Sequence, residues 1–184
     1  AALTTAQVTA LTTSQVAGLT TDQVAAMTTT QVGALSTALV QALSTSQVAS
    51  LKTSQVNVLT SANVGALSTA QIRAMSTSQV AAVTTTGLAV LNSSQIGALT
   101  TDQVAALTTS QVGALTTSEA AAMSAAQAKS LTTTQLGSLS TANVQALTLN
   151  SVKALTTGQV AALTTSQVNA LETERSEEHT SELQ

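Results

Sequence analysis

Five residue types are missing from this 184-residue chain: it has no Cys, Pro, Phe, Tyr or Trp. Without Cys there are no disulfides and no thiolate chemistry, and the redox compartment stays open. Aromatic side chains supply much of the buried area of ordinary domains, so a large globular core is not expected. A thin, repetitive core of Leu, Val and Ala is what remains. Charged residues make up only 7% of the chain. Mean hydropathy is mildly positive, yet Thr, Ser or Gln interrupts every apolar stretch. No run of about 18 apolar residues exists, and no membrane span is expected.

What is present is one octad, L-T-T-x-Q-V-x-A, copied along the chain. Leu99–Ala114 shows it most plainly, as LTTDQVAA LTTSQVGA. Complete copies begin at Leu3 and recur every eight residues to Leu163, giving 21, and a degraded copy opens at Leu171. With Leu numbered one, position one is otherwise Met at Met27, Met75 and Met123 and Val at Val83. Position six is Val, with Ile72, Ile96, Leu88 and Leu136 as conservative swaps, and it shrinks to Ala120 and Ala128. Position eight is small. Position seven varies freely and includes Asn57, Arg73, Lys129 and Lys153, which marks it as solvent-facing.

An eight-residue period excludes one continuous helix. The apolar set would turn by about 80° per copy and face no single partner. One flat strand fails too, because positions one and six would lie on opposite faces. The unit must bend within each repeat. Position two is Thr or Ser in 19 copies and Asn at Asn92, leaving Lys52 as the one poor cap. Position five is Gln in 15 of 21 copies, and Glu119 keeps the same capacity. Ser or Thr followed three residues later by Gln or Glu is the capping box, with the hydroxyl on the N3 amide and the Gln side chain back on the N-cap amide. The apolar pair at positions one and six then falls on N′ and N4, the hydrophobic staple.

Each octad therefore reads as a fresh helix start. The expected fold is all-α, a solenoid of very short helices with one per eight-residue repeat. Each helix should break near positions seven and eight, where Gly or Asn can take left-handed dihedrals. The alternative is a β-solenoid with two octads per coil, since Thr, Val and Ile favour strands. A lone octad should be unfolded, stability should grow with repeat number, and the ends of the array should fray.

The net charge of −3 is unevenly placed. Before Leu171 the acids are Asp22, Asp102 and Glu119, against Lys52, Arg73, Lys129 and Lys153, a balance of +1. The remaining charge and the single His, His179, lie beyond. Residues 175–184 read RSEEHTSELQ, which resembles the in-frame translation of a common sequencing adapter. We expect residues 1–174 to form the repeat array and residues 175–184 to be a non-native tail, excluded from fold reasoning. A metal or acid–base role for His179 is rejected on that ground. The chain opens at Ala1-Ala2, in mid-repeat, so a piece of a longer protein, open at both ends, is expected.

Some copies are imperfect. Val83–Val90 carries Gly87 in place of Gln, and Leu147–Ala154 carries Leu149 in place of Thr. Leu115–Ser130 (LTTSEAAA MSAAQAKS) loses both Val side chains and sets Glu119 ten residues before Lys129. A binding notch there is conceivable; drift within a tolerant array is the preferred account.

No catalytic, cofactor-binding or metal-binding residues are expected. Outside the tail there is no His or Cys to pair with a nucleophile. The three acids of the array are far apart and lack assigned partners. The eight Gly are scattered and form no phosphate loop. Calcium-type spacing is missing around Asp22 and Asp102. Nucleic-acid binding needs basic clusters, and a balance of +1 supplies none. The chain is therefore read as non-enzymatic, with no cofactor.

Octads such as LTTSQVAG (11–18) resemble the first-helix opening of the repeats in TAL effectors, which carry a similar L-T-P-x-Q-V-V start. The likeness covers that half-repeat only. This chain lacks the Pro, the longer period, the second helix and the base-reading loop, so the resemblance implies a helix start and no DNA binding. The array is also similar in composition to repeat tracts of large bacterial secreted or surface proteins. That similarity implies a spacer, stalk or scaffold whose partners are neighbouring repeats of the same parent chain, in an extracellular or cell-surface setting. A second reading is a binding module in which rows of Thr order water or meet another surface ligand; rows of that kind need flat strands. A third is that the isolated array has no stable fold or function.

Overall fold

A computed structural model describes residues 4–171. The adapter-like segment and His179 lie outside the described residues, so the expectation placed on them is not addressed by the fold.

Among the described residues the chain is helical, with no strand. Twenty helices of four to six residues follow one another from α1 (Thr5–Thr9) to α20 (Thr157–Ala161), one per octad, and residues 165–171 are helical as well. The α-solenoid reading holds, and the β-solenoid alternative is overturned. The flat strands that a water-ordering Thr array would require are absent from the described residues.

Each helix starts where the local chemistry directs. In α13 (Thr101–Ala105) the N-cap is Thr100, in extended backbone at φ −73° and ψ 162°. Its hydroxyl accepts from the Gln103 N–H at 3.1 Å, and the Gln103 side-chain oxygen accepts from the Thr100 N–H at 2.8 Å. The same reciprocal pair recurs, for example, at Thr28–Gln31, Ser76–Gln79 and Thr132–Gln135. Wherever the pair forms, two of the four orphan donors of that helix start are satisfied in this way. Lys52 has no acceptor to offer. Gln55 there donates its N–H to the Lys52 carbonyl at 2.9 Å, and only the return bond to the Lys52 N–H, at 2.6 Å, survives.

The helices end differently from the expectation. No residue among those described has positive φ, glycines included. A left-handed cap is unnecessary because position one swings into extended backbone, as at Leu43 (φ −63°, ψ 136°), and donates its N–H to the position-six carbonyl, here Val40 at 3.3 Å. Positions one and two are thus extended, and the corner they make bends the chain once per octad.

Packing follows a fixed offset. Helix contacts join each helix to the one three places on: α2 (Thr13–Ala17) to α5 (Thr37–Ala42), α6 (Thr45–Ser50) to α9 (Thr69–Ala74), and so along the array. Three to four octads make one turn of the solenoid. Position one and position six form a continuous core from Val8 to Val144. An apolar void of about 10 Å³ within the core is bordered by Val64, Ile72, Val80 and Leu88 among others. Small aliphatic side chains suffice because the radius to be filled is only one side-chain pair deep.

Candidate functional site

The most distinctive polar feature of the fold is a ladder of buried amides. From Gln47 onward the position-five Gln side chains are buried, with Gln55 and Gln111 only 1% exposed. Burial of an amide without partners costs several kcal/mol, about 2–7 depending on reference state, so each group must be satisfied. The amide oxygen does this within its own octad, through the capping box. The amide nitrogen does it across the turn. Gln103 Nε2 donates to the Met75 carbonyl at 2.7 Å, 28 residues earlier, and to the Ile72 carbonyl at 2.9 Å, 31 residues earlier. Gln47, Gln71, Gln79, Gln111, Gln135 and Gln159 repeat this pattern, each reaching a position-six and a position-one carbonyl of the preceding turn. One side chain caps its own helix and cross-links two turns.

Shorter side chains at the same position show how far that reach is tuned. Asn63 Nδ2 meets only the Leu35 carbonyl, at 3.0 Å, and Asn143 Nδ2 only Leu115. Ser151 Oγ meets Met123 at 2.9 Å. Each reaches the nearer carbonyl, 28 residues back, and makes no return bond to the backbone N–H of its own N-cap, although the Ser151 and Thr148 hydroxyls pair at 2.8 Å. One methylene decides between one function and two.

Sequence reasoning recognised position five as a cap and missed the cross-turn bond. A signal was present: a capping box accepts Glu as readily as Gln, yet the chain uses Gln fifteen times and Glu once. Only the amide donates.

Position seven is mostly exposed, as expected, but it also meets the next turn. Asn57 Nδ2 donates to the Ala82 carbonyl at 3.1 Å, 25 residues on. A Cβ on Gly65 would lie 3.3 Å from Val90 Cγ2, and one on Gly113 would lie 3.2 Å from the Ser138 carbonyl. Close approach of the following turn thus explains Gly65 and Gly113, whereas a Cβ on Gly33, Gly97 or Gly137 would make only ordinary contact.

Apart from Lys52, which sits at a helix N-cap, the exposed charges lie where short helix dipoles favour them. Asp22 and Asp102 are in first turns, and Arg73, Lys129 and Lys153 are in last turns. They do not converge. Among the described residues no group of three His, Cys, Asp or Glu could hold a metal ion. The notch suggested at Leu115–Ser130 is closed: Ala120 and Ala128 are fully buried, and the Glu119 carboxyl meets Thr116 and not Lys129. An open surface groove of about 500 Å³ runs past Gln41, Gly65, Ser68, Asn92 and Gln95. Its lining carries amides and hydroxyls and no titratable side chain. No helix of the described residues is long and apolar enough to cross a membrane.

Comparison with known proteins agrees with this architecture. The family model of the ALTTAQ repeat matches residues 1–29, 29–61, 59–92, 85–117 and 150–174. Most of the matched spans run to about 30 residues, close to one turn of the solenoid as the Gln ladder measures it. No curated protein matches the chain.

Proposed function

This chain belongs to the ALTTAQ repeat family, and from that premise we propose that it is a non-catalytic structural segment, a spacer, stalk or scaffold within a larger surface or secreted protein. The observation that supports this reading is the Gln ladder. Paired bonds reaching 28 and 31 residues back recur at Gln47, Gln71, Gln79, Gln103, Gln111, Gln135 and Gln159, so one repeated contact fastens much of the array turn to turn, and Asn63, Asn143 and Ser151 reduce it to a single bond. A body built this way grows by adding octads and needs no special residue at any level. Buried area and hydrogen bonding are spent on neighbour contacts, as in other quasi-one-dimensional arrays. The exposed face offers hydroxyls, small side chains and few charges, a composition suited to separation and not to chemistry.

The test is length. Duplicating Leu99–Ala114 in the chain should extend the particle seen by small-angle scattering along one axis only, with unchanged helical circular dichroism. A particle whose cross-section grows, or which loses its helical signal, would overturn the spacer reading. Attachment to a surface or secreted protein is tested separately, by sequencing the reading frame that surrounds the array for secretion and anchoring segments.

A further inference from the structure

Asn92 stands where most octads place Thr or Ser, at the N-cap of α12 (Ser93–Ala98). Ser93 and Ser94 follow it, so the helix start reads Asn-Ser-Ser. That is the Asn-x-Ser pattern, with x other than Pro, on which N-linked glycans are built. The chain holds six Asn, and none of Asn57, Asn63, Asn143, Asn150 or Asn169 has Ser or Thr two places on. Asn92, Ser93 and Ser94 are all exposed. By contrast, Asn63 and Asn143 are buried in the ladder.

The two ends of the Asn92 amide are used differently. Oδ1 accepts from the Gln95 N–H at 3.0 Å, and the Asn92 N–H donates to Gln95 Oε1 at 2.8 Å, which completes the capping box. Nδ2 takes no part in it and has no hydrogen-bond partner among the described residues. The backbone at Asn92 is extended, at φ −82° and ψ 168°. Asn92, Ser93 and Ser94 border the surface groove of about 500 Å³, together with Gln41, Ser68 and Thr69. The groove offers amides and hydroxyls and no charge, a lining that suits a neutral polyhydroxylated group.

We propose that Asn92 is the acceptor of an N-linked glycan whose first sugar lies along this groove. The inference rests on the reading of the parent as a surface or secreted protein, because the sugar donor is met on the export route. That donor is an oligosaccharide carried on a polyprenyl diphosphate, and an oligosaccharyltransferase of the secretory membrane performs the transfer. A bond forms between Asn92 Nδ2 and the anomeric carbon. The carbon–oxygen bond to the diphosphate breaks, the diphosphate leaves with the electron pair, and the amide nitrogen gives up one proton. The product is a secondary amide whose oxygen still accepts, so the helix cap survives the modification. Attachment and capping fall on different atoms of one side chain. The spacer thereby gains a bulky, solvated group on a surface that carries few charges.

The experiment translates the full chain behind a secretion leader in microsomes that carry the lipid-linked donor, beside Ser94→Ala and Asn92→Thr. Both variants remove the acceptor pattern and keep residues the array already uses: Ala stands at the Ser94 position in Ala38 and Ala70, and Thr is the usual cap. The native chain should gain one glycan on the peptide containing Asn92, released by peptide N-glycosidase with conversion of Asn92 to Asp. Neither variant should gain it. The glycosylated chain should melt at or above the temperature of the unmodified one, since the cap is kept. An unmodified native chain, a glycan that persists in Ser94→Ala, or a glycosylated chain that melts well below the unmodified one would each overturn the proposal. Sequencing the surrounding reading frame keeps the two readings apart. A glycan on Asn92 in microsomes with no export segment in the frame would overturn the secreted reading alone. An unmodified native chain overturns the acceptor site whatever the frame encodes.

Discussion

The side-chain amide of Gln103 lies 2.7 Å from the carbonyl oxygen of Met75, 28 residues before it, while its amide oxygen holds the N–H of Thr100 in its own octad. A single residue thus starts a helix and fastens that helix to the previous turn. The two tasks can be separated by substitution, because they use different atoms of the amide.

Gln103→Ala removes both. The buried carbonyls of Ile72 and Met75 lose a donor and Thr100 loses its return bond, so we expect a loss of about 2–4 kcal/mol, on the order of 1–3 kcal/mol for each buried group left unsatisfied. Gln103→Glu keeps the capping acceptor and puts a carboxyl oxygen where the amide donor stood. It should be destabilised nearly as much as the Ala variant. Urea unfolding of the two proteins is the measurement, and a Glu variant as stable as the native chain would refute a structural role for the cross-turn bond.

Lys52 leaves one helix start without a side-chain acceptor. Lys52→Thr supplies the hydroxyl that the other octads use and should raise stability by about 0.5–2 kcal/mol. The converse change, Thr100→Ala, should lower it by a similar amount. Thermal melts of the pair should therefore shift in opposite directions.

Glycines at different octad positions should respond oppositely to the same substitution. A Cβ on Gly158 meets nothing within 4 Å, so Gly158→Ala should gain about 0.5–1 kcal/mol from helix propensity. A Cβ on Gly113 meets the Ser138 backbone carbonyl at 3.2 Å, which can yield only if the next turn moves. Gly113→Ala should forfeit that gain or become destabilising. Equal stabilisation of both variants would show that the turns are not in fixed register.

Core truncation should track position in the octad. Leu99 is 5% exposed and belongs to the continuous core, so Leu99→Ala should cost about 2–5 kcal/mol. Val58 is 37% exposed at position eight, and Val58→Ala should fall within about 0.5 kcal/mol of the native chain. Amide exchange around each site would register the contrast locally, even where the array does not unfold in one step.

Much of this architecture was legible in the residues alone. Thr100, Gln103 and the apolar pair Leu99 and Val104 carry their instructions within one octad, and the helix they specify is the one that forms. The left-handed ends expected near Gly33 or Gly113 do not form, because extended backbone at position one closes the helix without them. Ala120 and Ala128, which stand where most octads have Val, are fully buried. Position seven looked free to vary, and it is mostly exposed, but Gly65 and Gly113 there are limited by a neighbour 25 residues away.

The sequence by itself determined where every helix begins and that the chain must bend once per octad, since capping and stapling act over three or four residues. Only the tertiary structure decided which octads meet. Nearly identical repeats offer many equivalent pairings, and the choice falls to packing of Leu against Val around a narrow axis and to the reach of a Gln side chain across it. The same reach explains why Gln103 bonds to Met75, and why Glu119, alike as a cap, stands as the exception in the ladder.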